Sequence, residues 1–289
     1  MKYFSLFLFC FTCLFQSQTR AIYEYRFSLD STKVDSLSSE WMYLDISEKG
    51  SRFYSKLAYE SDSLAAVSLQ KQVASGSTSF SITRGNAGKV GDRVEKSYPD
   101  YKVVLVTRIG SEKYRVVEDR RIEWQILPEQ KTFGEFKAQK AVGSFAGRNW
   151  TAWFSTEVPI QDGPYKLHGL PGLIVSAQDD SGTHNFELKG IKKMEIEVGQ
   201  EVKMADGSTI PLLSDKALEI SRDVYKKQYE QYKKDPVKDM REMLARPNTK
   251  VVVNMNGREL SNSADILRQM EQNRKKSLNS QNNPIELEL

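Results

Sequence analysis

A chain of 289 residues, 39% hydrophobic and 28% charged, has the apolar content for a sizeable core and reads as a globular protein of one large or two small domains. Its 42 Lys and Arg against 38 Asp and Glu leave a formal charge of +4, too balanced to argue for nucleic-acid binding. The two cysteines, Cys10 and Cys13, both lie in the first 18 residues, so a chain that loses that segment has no disulfide, zinc–thiolate site or thiol nucleophile.

Residues 1–18 read as a secretory signal: Lys2 supplies the positive start and Tyr3–Phe15 the apolar run, too short for a membrane span. Cleavage is expected near Ser17 or Gln18, placing the protein in the periplasm or cell envelope. Lipoprotein processing at Cys13 is the alternative, although Phe11-Thr12 makes a poor lipobox. No later stretch reaches membrane length, so the mature chain has no expected transmembrane segment.

The body that follows, residues 19–213, is read as a mainly antiparallel β domain. Ala21–Leu29 alternates, setting Tyr23, Tyr25 and Phe27 on one face. Trp41–Ile46 and Arg52–Leu57 flank a turn at Lys49-Gly50, a hairpin pattern. Glu60–Val73 predicts a short helix with Asp62 placed to cap it. Ser75–Asp92, rich in Gly and Ser, predicts loop or weak strand. Residues 101–109 turn at Gly110-Ser111 into a strand over 112–127, and residues 135–145 lead into the central stretch. After it, the polar turn at 178–182 leads into a strand over 184–198. Residues 214–236 have helical spacing with Ser214 as cap. Pro236 ends that helix, and 237–247 predicts a second one packing on the sheet. The remainder, 248–289, reads as one strand (250–255) and a polar tail. The terminal Ile285-Glu-Leu-Glu-Leu289 alternates, either a frayed end or an edge strand docking on this sheet or a neighbour's.

The chain is organised around residues 145–177, FAGRNWTAWFSTEVPIQDGPYKLHGLPGLIVSA. Period-two alternation over Asn149–Ser155 puts Trp150 and Trp153 on opposite faces. Pro159 disfavours further strand. Pro171-Gly172 suits a type II turn, with Gly169 free to take positive φ just before it. Leu173, Ile174 and Val175 read as a buried strand. Such a turn either grips a ligand or is a buried corner that fixes sheet register. No Gly-rich phosphate-binding spacing is present.

The string GPYKLHGLPGLI at 163–174 resembles the signature of the GLPGLI family of Bacteroidetes proteins. The similarity extends upstream over 136–160 and downstream to the ending NPIELEL at 283–289. Ala138 stands where many members carry a cysteine, so any role of that thiol is missing here. The resemblance implies an exported, mostly β envelope protein of unknown biochemical activity, and it brings no catalytic residues with it.

For chemistry, the chain offers two histidines, His168 and His184. Neither sits at metal-ligand spacing from the other, and no His-Glu-x-x-His or Gly-x-Ser-x-Gly motif occurs. Asp179 and Asp180 stand close to His184 in sequence, a possible weak cation site or an ordinary polar turn. No catalytic residue, metal or cofactor is assigned. The expected fold is α+β and mainly β, a curved antiparallel sheet, half-barrel-like, with covering helices. The expected role is non-enzymatic: binding an apolar or lipid-like ligand or an envelope partner protein, such as one of an outer-membrane transport system. Trp150, Trp153, Tyr165, His168, Gly169, Leu170, Pro171 and Gly172 are the candidate binding residues. The rival functions are an envelope hydrolase or metal-dependent enzyme using His168 and His184 with nearby carboxylates, and a purely structural module.

Overall fold

The computed structural model describes residues 18–75, 85–194, 201–203, 209–211, 217–246, 253–255 and 258–289. Most of the signal segment, half of the Gly/Ser-rich stretch (76–84) and Ser214 lie outside these residues.

Two runs of hairpins build one open sheet. The first holds β1 (Gln18–Phe27), β2 (Ser38–Ser47), β3 (Gly50–Ser55), β4 (Arg93–Ser97), β5 (Lys102–Ile109) and β6 (Glu112–Val117), with helix α1 (Lys56–Ala74) between β3 and β4. The second holds β7 (Gln125–Phe133), β8 (Phe136–Phe145), β9 (Arg148–Ser155), β10 (Leu173–Asp179) and β11 (His184–Met194). There follow a small separate hairpin, β12 (Glu201–Lys203) with β13 (Thr209–Pro211), then β14 (Leu218–Ser221), helices α2 (Arg222–Lys234) and α3 (Lys238–Leu244), a second small hairpin of β15 (Val253–Met255) and β16 (Arg258–Leu260), and helix α4 (Ser263–Ser280). Pairing of β11 with β1 joins the two runs into a sheet of 12 strands, ordered β14-β6-β5-β4-β3-β2-β1-β11-β10-β9-β8-β7. All neighbours are antiparallel except β14, which runs parallel to β6. Helix α1 packs on β2 and β3, and α2 on β5, β6 and β14.

Chain connectivity requires the sheet to curve. In strand order β6 and β7 lie ten spacings apart, which would be about 48 Å in a flat sheet at about 4.8 Å per strand. Residues 118–124 join them, a reach of about 28 Å from Val117 to Gln125 when fully extended. The sheet therefore bends until its two ends approach. The expectation of a curved, mainly β fold with covering helices matches this structure.

The core lies inside the curve. Tyr23, Tyr25 and Phe27 point inward as their alternation predicts. In the β1–β11 register Tyr25 faces Phe186 and Phe27 faces His184. Such cross-strand pairs fix register, because a one-residue slip would turn the aromatic row to solvent. The rings of Tyr25 and Phe186 stack at 4.2 Å, and Tyr25 also stacks on Phe27 at 4.6 Å.

Several expectations are corrected. The strand expected over 112–127 stops at Val117; residues 118–124 cross to the opposite edge, and β7 begins at Gln125. Helix α1 begins at Lys56, which leaves Asp62 inside it rather than at its cap. The helix expected from Ser214 is preceded by β14, and its N-cap is Ser221, whose side chain accepts from the Val224 N–H. The Pro171-Gly172 corner is not a type II turn: the Gly172 N–H donates to Leu170 O at 2.8 Å, a three-residue turn centred on Pro171. Positive φ is found at Gly169, at +92°. The terminal residues neither fray nor form a ladder strand. They are held on the body by side-chain and main-chain hydrogen bonds.

Candidate functional site

The connection from β9 to β10, residues 156–172, folds into the concave side of the sheet. Three-residue turns crimp it, with Ile160 N–H donating to Val158 O and Asp162 N–H to Ile160 O, both at 2.8 Å. Pro159 and Pro171 sit at the centres of two of its three such turns, where the ring holds φ close to the value needed. Gly172 is required by close approach: a Cβ there would lie 2.2 Å from Ser155 O. Residues 162–167, Leu170 and Gly172 are buried, while Gly169 and Pro171 form an exposed tip. The middle of the connection, residues 162–167, is therefore interior filling, while its start and its tip reach the surface.

The candidate binding residues divide accordingly. Trp150 is 2% exposed and belongs to the core, and its indole Nε1 has no hydrogen-bond partner among the described residues. Trp153 lies half-buried on the opposite face beside Phe133, with ring centres 5.7 Å apart. Tyr165 and Leu170 are buried. His168 stacks on Tyr101 at 5.0 Å, and its Nδ1 pairs with Lys166 O at 2.9 Å. Burial and then the nearby Lys96 cation hold its imidazole below the ordinary pKa. The structure brings the tip residues together, but it places the two tryptophans apart.

Behind the tip lies a buried ion pair. Lys96 Nζ on β4 donates to Asp162 Oδ1 at 2.5 Å, with both side chains at 0% exposure. The same ammonium donates to Gly163 O at 2.7 Å. Asp162 also accepts from the Gly163 N–H at 2.6 Å and from the Tyr98 hydroxyl. Burial alone would raise the Asp162 pKa, but Lys96 outweighs it and the carboxyl stays below its usual range. The pair pins the connection to the first run of strands.

A second polar cluster joins three remote segments. Lys166 donates to Glu118 Oε2 at 2.7 Å and to Glu286 Oε1. Arg120 bridges the same carboxylates, at 2.7 Å to Glu118 and 2.6 Å to Glu286. Burial pushes the Glu118 carboxyl up, but Arg120 and Lys166 bring it down to about 2. Next to it, Arg148 holds Asp179 at 2.7 Å, and Asp179 accepts the His184 N–H at 2.8 Å. The His184 ring is buried, with Tyr25 Oη at 2.6 Å from Nδ1 and Asn283 O at 3.2 Å from Nε2. The two histidines thus have different partners. Among the described residues no group of three or more His, Asp or Glu side chains is placed to hold a metal ion.

Residues 145–176 match a family model described as "Protein of unknown function (Porph_ging)". The match spans β9, the buried connection and most of β10. No curated protein matches. Two crystal forms of PNGF-II are similar in structure. The C2 form gives a TM-score of 0.48 at 13% identity, covering 75% of this chain and 33% of that one. The P21 form gives 0.48 at 12% identity, covering 75% and 34%. The chain spans about a third of the length of that protein.

Reasoning from sequence missed Lys96, Glu118, Arg120, Asp162, Lys166 and Glu286. Only one signal pointed toward them: charged residues inside otherwise apolar or turn-rich stretches, as with Asp162 and Lys166 on either side of Gly163-Pro164. Their partners lie far along the chain, so nothing local marks the pairing.

Proposed function

We propose that this chain is an exported cell-envelope protein of the GLPGLI type with a non-enzymatic binding or accessory role, and that it binds a partner protein rather than an apolar small molecule. The observation that carries this is the burial of the expected site residues. The aromatics and leucines expected to line an apolar site, Trp150, Tyr165 and Leu170, pack against the chain itself, and the buried charges there are paired with one another. The β7 edge of the sheet, in contrast, is open. β7 is nine residues long, pairs only with β8 among the described residues, and exposes 47% of Ile126. Pro128, Glu129 and Lys131 on the same strand are the residues by which edges avoid indiscriminate pairing, which leaves it suited to a chosen partner that adds a strand.

The test is cross-linking in the protein's own envelope, followed by capture and native mass spectrometry with lipid extraction. A defined protein partner is expected with the wild-type chain, lost in Ile126→Lys and retained in His168→Ala. A co-purifying lipid, with no protein cross-link, would replace this proposal with an apolar carrier. Loss of capture in His168→Ala alone would move the contact to the 168–171 tip.

A further inference from the structure

Residues 283–289 lie against the body as a bound peptide does. They form no strand ladder, and two side chains anchor them. Asn283 is buried with its polar groups engaged: its N–H donates to Leu29 O at 2.8 Å and its Nδ2 to Ser28 O at 2.7 Å. Its Oδ1 accepts from Arg148 Nη2 at 2.6 Å. Three residues on, Glu286 is buried between Arg120, Lys166 and the Tyr165 hydroxyl. Between the anchors Arg148 reads the backbone, donating to Pro284 O at 2.6 Å and Ile285 O at 3.0 Å. Beyond them the N–H groups of Leu287 and Glu288 both point to Ala146 O, at 2.9 and 3.2 Å. The connecting helix α4 is held far more loosely, with Ile266 its one buried residue.

The body side of this contact is a built receptor. Arg148 is balanced by Asp179 without the segment. Lys166 and Arg120 share Glu118, so removal of Glu286 leaves two cations with one ion-pair partner between them in a largely buried cleft, with Asp92 the further acidic group near Lys166. Those cations, with donors spaced for one amide side chain and one carboxylate, suit an acidic peptide.

We propose that this cleft is a peptide-binding site for segments of the form Asn-Pro-x-Glu, filled in cis by residues 283–289 and able to take the same segment from a second copy of the chain. This is independent of the partner proposed for β7.

The test uses the full chain with a protease site inserted between Gln281 and Asn282, an exposed position. The chain folds intact and is then cut. Native mass spectrometry is expected to show the body retaining the released segment and exchanging it for an isotope-labelled copy of residues 282–289, amidated at its C-terminus. The labelled copy with Gln for Glu286 should compete at least tenfold less well. A second arm uses the uncut N283A/E286Q chain, which should bind a fluorescent copy of the segment at least tenfold more tightly than the wild-type chain, whose cleft is occupied. Unfolding of the body on cutting, or retention without exchange, would make the segment part of the core and overturn the proposal. So would equal competition by the Gln peptide, or no saturable binding to the folded N283A/E286Q chain.

Discussion

At the scale of single residues, the Lys96–Asp162 pair has the largest consequence for stability. Taking two charges out of water is costly, and the geometry compensates only while both partners and their hydrogen bonds are present. Asp162→Asn would leave the buried Lys96 ammonium with neutral acceptors only, Gly163 O at 2.7 Å and Leu167 O at 3.4 Å. The expected loss is about 3–5 kcal/mol, read from urea unfolding. Adding Lys96→Met removes the stranded charge and is expected to recover part of it, a non-additive outcome typical of residues in contact. Additive losses would show that the pair does not act as a unit. The pairing was not legible from sequence. Lys96 and Asp162 stand 66 residues apart, and the charge beside Gly163-Pro164 hints at a special position without naming its partner. The aromatic face of Tyr23, Tyr25 and Phe27 was legible, because alternation by two is a local signal that the core enforces.

At the scale of elements, most strands follow from that alternation, and the misplaced boundaries share a cause. Residues 218–221 alternate over too few positions to stand out from the helical spacing that follows them, so β14 was absorbed into the predicted helix. The structure gives α2 a different start. Ser221 has extended backbone at φ −74° and ψ 160°, and its hydroxyl accepts from Val224 N–H. It is also the last residue paired with β6, so one residue ends a strand and caps a helix. Ser221→Ala is expected to cost about 1 kcal/mol, with faster amide exchange in the first turn of α2 and little change in β5. Unchanged exchange at Val224 would mean that docking of Tyr225 and Tyr229, not the cap, sets where this helix begins. The 118–124 crossing was illegible for a different reason. Its polar residues read as the continuation of a hairpin strand, and only the order of strands across the sheet shows that they must pass from one end to the other.

At the scale of the whole molecule, the fold closes through charge. The curved sheet brings β6, the β8–β9 turn and residues 283–289 to one place, and the seam between them is made of Glu118, Arg120, Lys166, Arg148, Asp179, His184 and Glu286. A seam of this kind makes stability depend on pH, with a sign that follows from the direction of each shift. His184, buried and facing the Arg148 cation, is held neutral, its pKa lowered from 6.5 to about 4. The unfolded chain therefore binds a proton before the folded one does. The stability is present above about 6.5 and is lost as pH falls toward 4, by up to about 3 kcal/mol at about 1.4 kcal/mol per unit. His168 is shifted the same way and adds to the loss. Glu118, held near 2 against an ordinary 4.5, contributes stability that is present above 4.5 and disappears only as pH falls from there toward 2. Two windows are thus expected in a urea titration across pH. The upper one belongs to the histidines and the lower one to the carboxylate seam. In His184→Gln the slope between pH 7 and 5 should flatten, and in Glu118→Gln the further loss below pH 4.5 should shrink. A single acid transition unaffected by His184→Gln would place the imidazole outside the linkage. It would leave the carboxylates alone holding the two ends of the sheet to the segment between them.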